Sequence, residues 1–292
     1  MEAGGASPAI VSDSTSYLPD EELRRLGVHL VSLYVSLEGH QQAESEVTDY
    51  DEFYDRLRAS QEAITTSQPS VGDFVAVYEP LLAEGKQVVS IHISAGISGT
   101  CEAAAQARQR LIDEGRGGER IHVHDSRSGA GQMALVLLAA ANAAARGADV
   151  ESVLERAHQA REALGMWFAV DTLEYLRRGG RIGAARALLG STLQIKPILT
   201  LEEEVTPVER VRTRKRALER LIDHARELQA GGAVAWLVQH VQDPETAERL
   251  VGECRGVFGC DPISCTEIGP VIGAHVGPGL MGLGGLPRAL LE

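Results

Sequence analysis

Long apolar runs are missing from this chain. No stretch approaches the ~20 uninterrupted apolar residues that a membrane-crossing helix needs, so no stable membrane insertion is expected. The opening Met1-Glu2-Ala3-Gly4-Gly5 has neither the basic start nor the apolar segment of a secretory leader, which points to a cytoplasmic protein. Cysteine is scarce, with 4 in 292 residues. Cys254, Cys260 and Cys265 follow no zinc spacing, and they read as buried thiols rather than a metal site or a disulfide framework. Excess positive charge is absent too: a net charge of -13 lacks the basic footprint of a nucleic-acid surface and reads mainly as solubility. There is no Walker A sequence. A literal G-x-G-x-x-G at Gly277, Gly279 and Gly282 has no helix of useful length after it, so it fails the context of a dinucleotide loop. No cofactor is expected.

What is present centres on Val88-Val89-Ser90-Ile91-His92-Ile93 followed by Ser94-Ala95-Gly96-Ile97-Ser98-Gly99-Thr100. A β-branched run breaks into a hydroxyl-rich turn, and a strongly helix-forming stretch begins at Cys101. A helix start leaves backbone N–H groups unpaired and partly positive, so the turn, with Ser94, Ser98 and Thr100, reads as a site for a carboxylate or phosphate.

Strands and helices alternate around this stretch. Strands are expected at 8–11, 31–37, 87–93 and 120–124. Helices are expected at 20–26, around 53–57, at 74–84, up to about 114, at 130–146 and at 150–164. Asp49 or Thr48 caps the second helix, and Ser70 with Asp73 forms an S-x-x-D cap for the third. The Ala-rich helix at 130–146 must be buried on more than one side. This order predicts an α/β fold with a parallel N-terminal sheet over 8–160, whose ligands bind beyond the carboxyl ends of the strands. Ser12-Asp13, the Ser94–Thr100 turn and Asp125-Ser126 all fall at such ends, and the polar loop of Thr66 can reach the same rim. From 161 to 292 the strands pair, at 195–200 with 205–211 around Glu202-Glu203-Glu204, which predicts an α+β second domain; its tail, 263–275, reads as strand-like and then glycine-rich.

Two chemistries compete at the central turn. Gly96-Ile97-Ser98-Gly99-Thr100 falls one residue short of a G-x-S-x-G nucleophile elbow, and Asp125 and His275 follow in hydrolase order, so a serine esterase or thioesterase is the alternative reading. A plain helix cap explains Ser98 equally simply. His275 sits among Gly273, Gly277 and Gly279, where ligand contact and a structural role both stay open. Arg177, Arg178 and Arg181, and the run Arg210, Arg212, Arg214, Lys215 and Arg216, could face phosphate or an acidic partner; for Lys215 and Arg216 a solvated helix face is preferred.

Taken together, Ile10-Val11-Ser12-Asp13-Ser14, Thr66-Ser67-Gln68-Pro69-Ser70, Ile93-Ser94, Ser98-Gly99-Thr100, Leu173-Glu174-Tyr175-Leu176, Gly179-Gly180-Arg181-Ile182, Lys196-Pro197-Ile198, Arg212-Thr213-Arg214 and His275-Val276-Gly277-Pro278-Gly279 resemble the DegV family of bacterial fatty-acid-binding proteins, in the family order. The resemblance implies an N-terminal Rossmann-like domain and a C-terminal α/β domain with a fatty acid held between them, its carboxylate on Thr66, Ser98 and His275, with Ser94, Gly99, Thr100 and Asp125 in support. It further implies that a separate ATP-dependent fatty acid kinase makes an acyl phosphate of the bound acid, with Arg181 and Arg212 meeting the kinase or its phosphoryl group. One departure is Ala95, where many relatives have a second serine. Burying ~15 methylene-sized groups at about 0.8 kcal/mol each gives roughly 12 kcal/mol before ordering costs, so such a carrier needs hydroxyls for orientation and no nucleophile.

Overall fold

The computed structural model describes residues 7–37, 39–60, 65–190 and 195–292; the segment read above for a leader lies outside them. The chain runs β1 (Ala9–Asp13), α1 (Asp20–Arg25), β2 (Val28–Val31), β3 (Tyr34–Leu37), β4 (His40–Ala43), α2 (Tyr50–Ala59), β5 (Thr65–Ser67), α3 (Val71–Ala83), β6 (Val88–His92), α4 (Thr100–Asp113), β7 (Ile121–Asp125), α5 (Gly131–Ala145) and α6 (Val150–Ala163). It continues through β8 (Gly165–Ala169), α7 (Glu174–Arg178), β9 (Lys196–Leu201), β10 (Val205–Val211), α8 (Arg214–Ala230), β11 (Ala235–His240), α9 (Pro244–Phe258), β12 (Cys265–Glu267), α10 (Pro270–Val276) and β13 (Met281–Leu286).

The expected α/β fold is present. Strands β2-β1-β6-β7 form a parallel sheet in that order, and β10-β9-β8-β13-β11-β12 form a mixed one. Local chemistry sets several boundaries. Asp20, Glu21 and Glu22 open α1 and Arg24 and Arg25 close it, matching the helix dipole. Asp49 caps α2 by accepting the Glu52 N–H. Ser70 and Asp73 exchange both bonds of a capping box at the start of α3, at 3.1 and 2.8 Å.

The layers explain the Ala-rich helix. Val11, Val88 and Ile121 face α3 and α4, whereas Ile10, Val89 and Ile91 face α5. The opposite side of α5 meets Met166, Ala235, Leu237 and Leu286 of the second sheet. Sandwiched between two sheets, α5 buries almost every side chain, and its alanines allow the close approach. The far face of the second sheet packs on α8 and α9. There Trp167 stacks on His224 at 4.0 Å and Trp236 on Phe258 at 4.8 Å, while Met166 and Phe168, the neighbours of Trp167 in β8, point the other way into a cavity.

Four expectations are corrected. The strand read at 31–37 is two strands in different sheets: Leu33 turns its N–H to Ser14 Oγ and its carbonyl to the Glu44 N–H instead of a ladder partner. β3 then pairs with β4 and β5 in a three-stranded antiparallel sheet, which puts Thr66 on a strand rather than in a loop. The tail at 263–275 is β12 followed by helix α10, with Pro270 in the first turn, where a missing N–H costs nothing. Beyond it the glycine-rich β13 is a wholly buried strand between β8 and β11. The thiols are not uniformly buried either: all four cysteines are free, Cys254 is buried and Cys265 is exposed.

β13 has glycines because its neighbours fill their space. A Cβ on Gly284 would fall 2.6 Å from Met166 Cβ, whereas one on Gly252, on the exposed face of α9, would meet nothing within 4 Å. Gly284→Ala should therefore cost about 1–3 kcal/mol by overpacking, and Gly252→Ala should add roughly 0.5–1 kcal/mol, both read by urea denaturation.

Candidate functional site

A cavity lies between the strand ends of the first sheet and the α5-facing side of the second. Its walls are mainly apolar, with Leu33, Ile93 and Ile97 from the N-terminal half and Met166, Phe168, Leu201 and Leu280 from the C-terminal half. Polar groups enter from few places: Thr66, Ser67 and Gln68 around β5, Ser98 on the central turn, Gln132, Arg181 and His275. An apolar cavity with a few placed polar groups is the usual form of a small-molecule site.

Thr66 and His275, 209 residues apart, meet there. Thr66 Oγ1 and His275 Nε2 share a hydrogen bond of 2.7 Å. The pairing depends on α10, which carries His275 in its last turn, and on β5, which sets Thr66 opposite Val35. Gly179 closes over the other ring nitrogen, where a Cβ would lie 2.0 Å from Nδ1, and among the described residues Nδ1 has no hydrogen-bond partner. Burial lowers the imidazole pKa to about 4, and the Arg181 charge pushes the same way, so the ring is neutral at neutral pH. A neutral ring that carries its proton on Nε2 donates to Thr66 Oγ1 and leaves the Thr66 hydroxyl free to donate to an anion.

Ser98 lies just before α4, and its hydroxyl pairs with Thr100 Oγ1 at 2.8 Å. Gly99 touches the Gln68 amide, where a Cβ would sit 3.0 Å from Nε2; the absence of a side chain lets the Thr66 segment and the Ser98 turn come together. Ser94 and Asp125 shape the turn from outside the cavity. The Ser94 carbonyl accepts the N–H groups of Ile97 and Ser98, and Asp125 Oδ1 accepts those of Ala95 and Arg127. Ala95 is exposed and does not line the cavity, so the missing serine leaves the polar end of the cavity unchanged.

The hydrolase constellation is not assembled. Ser98 bonds Thr100, Asp125 bonds backbone, and His275 bonds Thr66, so no proton path links the three. Among the described residues no cluster of three or more His, Cys, Asp or Glu side chains is set to hold a metal.

Arg181 stands at the edge of the cavity, donating to the carbonyls of Ile97 at 3.2 Å and Gly179 at 2.9 Å. It also lines a second, polar cleft with Ser98, Arg186 and Glu204. The two arginines of the R-T-R stretch differ. Arg212 is exposed and lies outside the cavity, whereas Arg214 is tied to Asp171 at 2.9 Å and to Asp243, beside the carbonyl of Gly279. Of the remaining basic residues, Arg177 and Arg216 pair with Glu174 and Glu219 one helical turn away.

One supporting group was legible only as a polar strand end. Asp13, wholly buried, accepts the Ile93 N–H at 2.9 Å, His92 Nδ1 at 3.1 Å and the Thr15 hydroxyl at 2.6 Å. His92 continues the chain to Ser90 and Tyr78, each step 2.7 Å. These bonds hold the end of β6, from which the Ser98 turn departs.

Comparison with known proteins gives the same picture. The family model described as "Uncharacterised protein, DegV family" matches residues 7–288. A DegV domain-containing protein of Halalkalibacterium halodurans is 38% identical over 279 residues, covering 94% of this chain and 96% of its own. The solved structure of a DegV family protein from Thermus thermophilus, described for its fatty acid binding, is similar with a TM-score of 0.85 and 34% identity, covering 96% of this chain and 99% of that one. A stearic-acid-binding protein from Eubacterium ventriosum is similar with a TM-score of 0.88 and 25% identity, covering 96% and 98%. With a family match over nearly its whole length, this chain belongs to the DegV family.

Proposed function

We propose that the protein is a cytoplasmic, non-catalytic carrier of a long-chain fatty acid, held between an N-terminal domain over 8–160 and a C-terminal domain over 161–292. The observation that carries this reading is the Thr66–His275 pair among the few polar groups of a mainly apolar cavity. The acyl chain fills the apolar part, where each buried methylene contributes about 0.8 kcal/mol. The carboxylate takes the hydroxyls of Thr66 and Ser98, beside the neutral His275, because a buried charge has to be hydrogen-bonded. The fatty-acid-binding relatives support the ligand class.

The carboxylate end then faces the cleft of Arg181 and Arg186, where a separate ATP-dependent fatty acid kinase converts it to an acyl phosphate. Arg181 is near enough to meet the transferred phosphoryl group, and exposed Arg212 serves as a contact for the kinase. No cofactor and no nucleic acid enters this scheme.

Native mass spectrometry of the freshly purified protein, with denaturing extraction, should show one long-chain acid per chain; an empty cavity or an acyl adduct on Ser98 would sink the carrier reading. Ser98→Ala should weaken fatty acid binding by about 1–3 kcal/mol, measured by displacement of a fluorescent fatty acid, and should uncover no esterase activity to lose. Arg212→Ala should leave that affinity unchanged and slow acyl phosphate formation by an added fatty acid kinase; an unaltered rate removes Arg212 from the contact.

A further inference from the structure

Outside the site, one buried carboxylate joins the two halves of the molecule. Glu44, in the turn after β4, is 4% exposed. Its Oε1 accepts the N–H of Val271, in the first turn of α10, at 2.8 Å and the Tyr17 hydroxyl at 2.8 Å. Its Oε2 accepts the Ser14 hydroxyl at 2.5 Å. The Tyr17 hydroxyl in turn accepts the N–H of Ile272 at 3.2 Å. Tyr17 reaches this position with φ +53°, a left-handed conformation that a bulky residue seldom adopts. Around the same helix start, Tyr54 donates to the carbonyls of Ile268 and Gly269, and Gly269 leaves no room for a Cβ, which would fall 2.9 Å from Glu44 Oε1. The first turn of α10 is thus bolted to the N-terminal half, while Val271, Ile272, His275 and Val276 of the same helix face the cavity.

We propose that Glu44 is a positioning residue for lipid binding: its carboxyl group clamps the start of α10 and so sets where His275 and one wall of the cavity stand against the acyl chain. The proposal rests on the fatty acid reading above.

The clamp has a built-in pH dependence. The ionisable groups around it are Asp13 and Tyr17 from the end of β1, Tyr50 and Tyr54 from α2, Glu267 from β12, and Glu46 in its own turn. Among the described residues no cation bonds to Glu44. Desolvation outweighs its three hydrogen bonds and lifts its pKa from 4.5 to about 7, with Asp13 pushing the same way. An opened α10 would let water reach Glu44 and return it toward its ordinary range. The closed arrangement therefore binds the proton more tightly, and opening becomes easier as pH rises through 4.5 to 7, levelling off above.

The test compares the intact protein, Glu44→Gln and Glu44→Ala at pH 5.5 and 7.5. Two quantities are read: amide-exchange protection of α10, corrected for intrinsic chemical exchange, and the rate at which bound oleate passes to excess albumin. In the unaltered protein, protection should fall and release should quicken by roughly tenfold between the two pH values. Glu44→Gln, which imitates the protonated acid, should hold α10 at the slow level at both. Glu44→Ala should be fast at both. A Glu44→Gln protein with the pH dependence of the unaltered one overturns the proposal, and so does a change in exchange with no change in release. If neither variant folds, Tyr17→Phe removes one of Glu44's donors and the acceptor of Ile272; unchanged exchange at α10 and unchanged release would then overturn it. An unaltered protein that takes up no fatty acid sinks the lipid reading instead, and the exchange comparison alone decides on the clamp.

Discussion

The Asp13 carboxylate is the group on which the site's geometry depends most. It lies where β1 and β6 end side by side, with no exposed surface, and each of its oxygens has protein donors. A buried carboxylate without such partners would be costly, so the backbone at Ile93 and the ring of His92 have little freedom to move. The turn carrying Ser98 begins directly after this point, and Asp125 at the end of the next strand fixes the turn's outer edge. The end of the cavity that carries Ser98 is therefore the rim of a parallel sheet whose strand ends are stapled together, at the kind of crevice where α/β folds bind ligands.

The C-terminal half supplies the complement by meshing backbone against backbone. A Cβ on Gly96 would fall 1.9 Å from the carbonyl of Glu203, and one on Gly183 would fall 2.7 Å from that of Val205. The β9–β10 turn thus fits between two glycines, one from each half of the chain. Contacts of this kind depend on shape more than on strong pairwise bonds, and the same turn brings Glu204 to the cleft beside Ser98 and Arg181.

Much of this was legible wherever one local rule acted alone. The caps at Asp49 and Ser70, the hairpin around Glu202-Glu203-Glu204 and the all-round burial of α5 follow from short-range chemistry or from a run with no polar face. Legibility failed where tertiary partners overrode local pattern. The alternation at 31–37 looks like one strand because nothing local shows that Leu33 bonds Ser14 and Glu44. β5 has three polar residues and acquires its strand geometry only from β3. α10 is too short for a periodic signal, and β13 lacks side chains at the positions that would reveal it. Ser98 and His275 stood out from local pattern, and their shared carboxylate role with Thr66 came from motif resemblance. Their meeting could not be read from spacing, since it requires β5 and α10 to approach across more than 200 residues of chain. Glu44 had no sequence signal, because a glutamate in a polar stretch looks solvated until the fold closes over it.

The alternation of β8 has a spectroscopic consequence. Met166 and Phe168 look into the cavity while Trp167 looks out toward α8, and Trp236, the other tryptophan of the chain, stacks on α9. Both indoles therefore sit on the face of the second sheet turned away from the cavity. Intrinsic emission from this protein monitors the α8–α9 layer. Its tryptophans report on that layer and not on the residues that line the cavity.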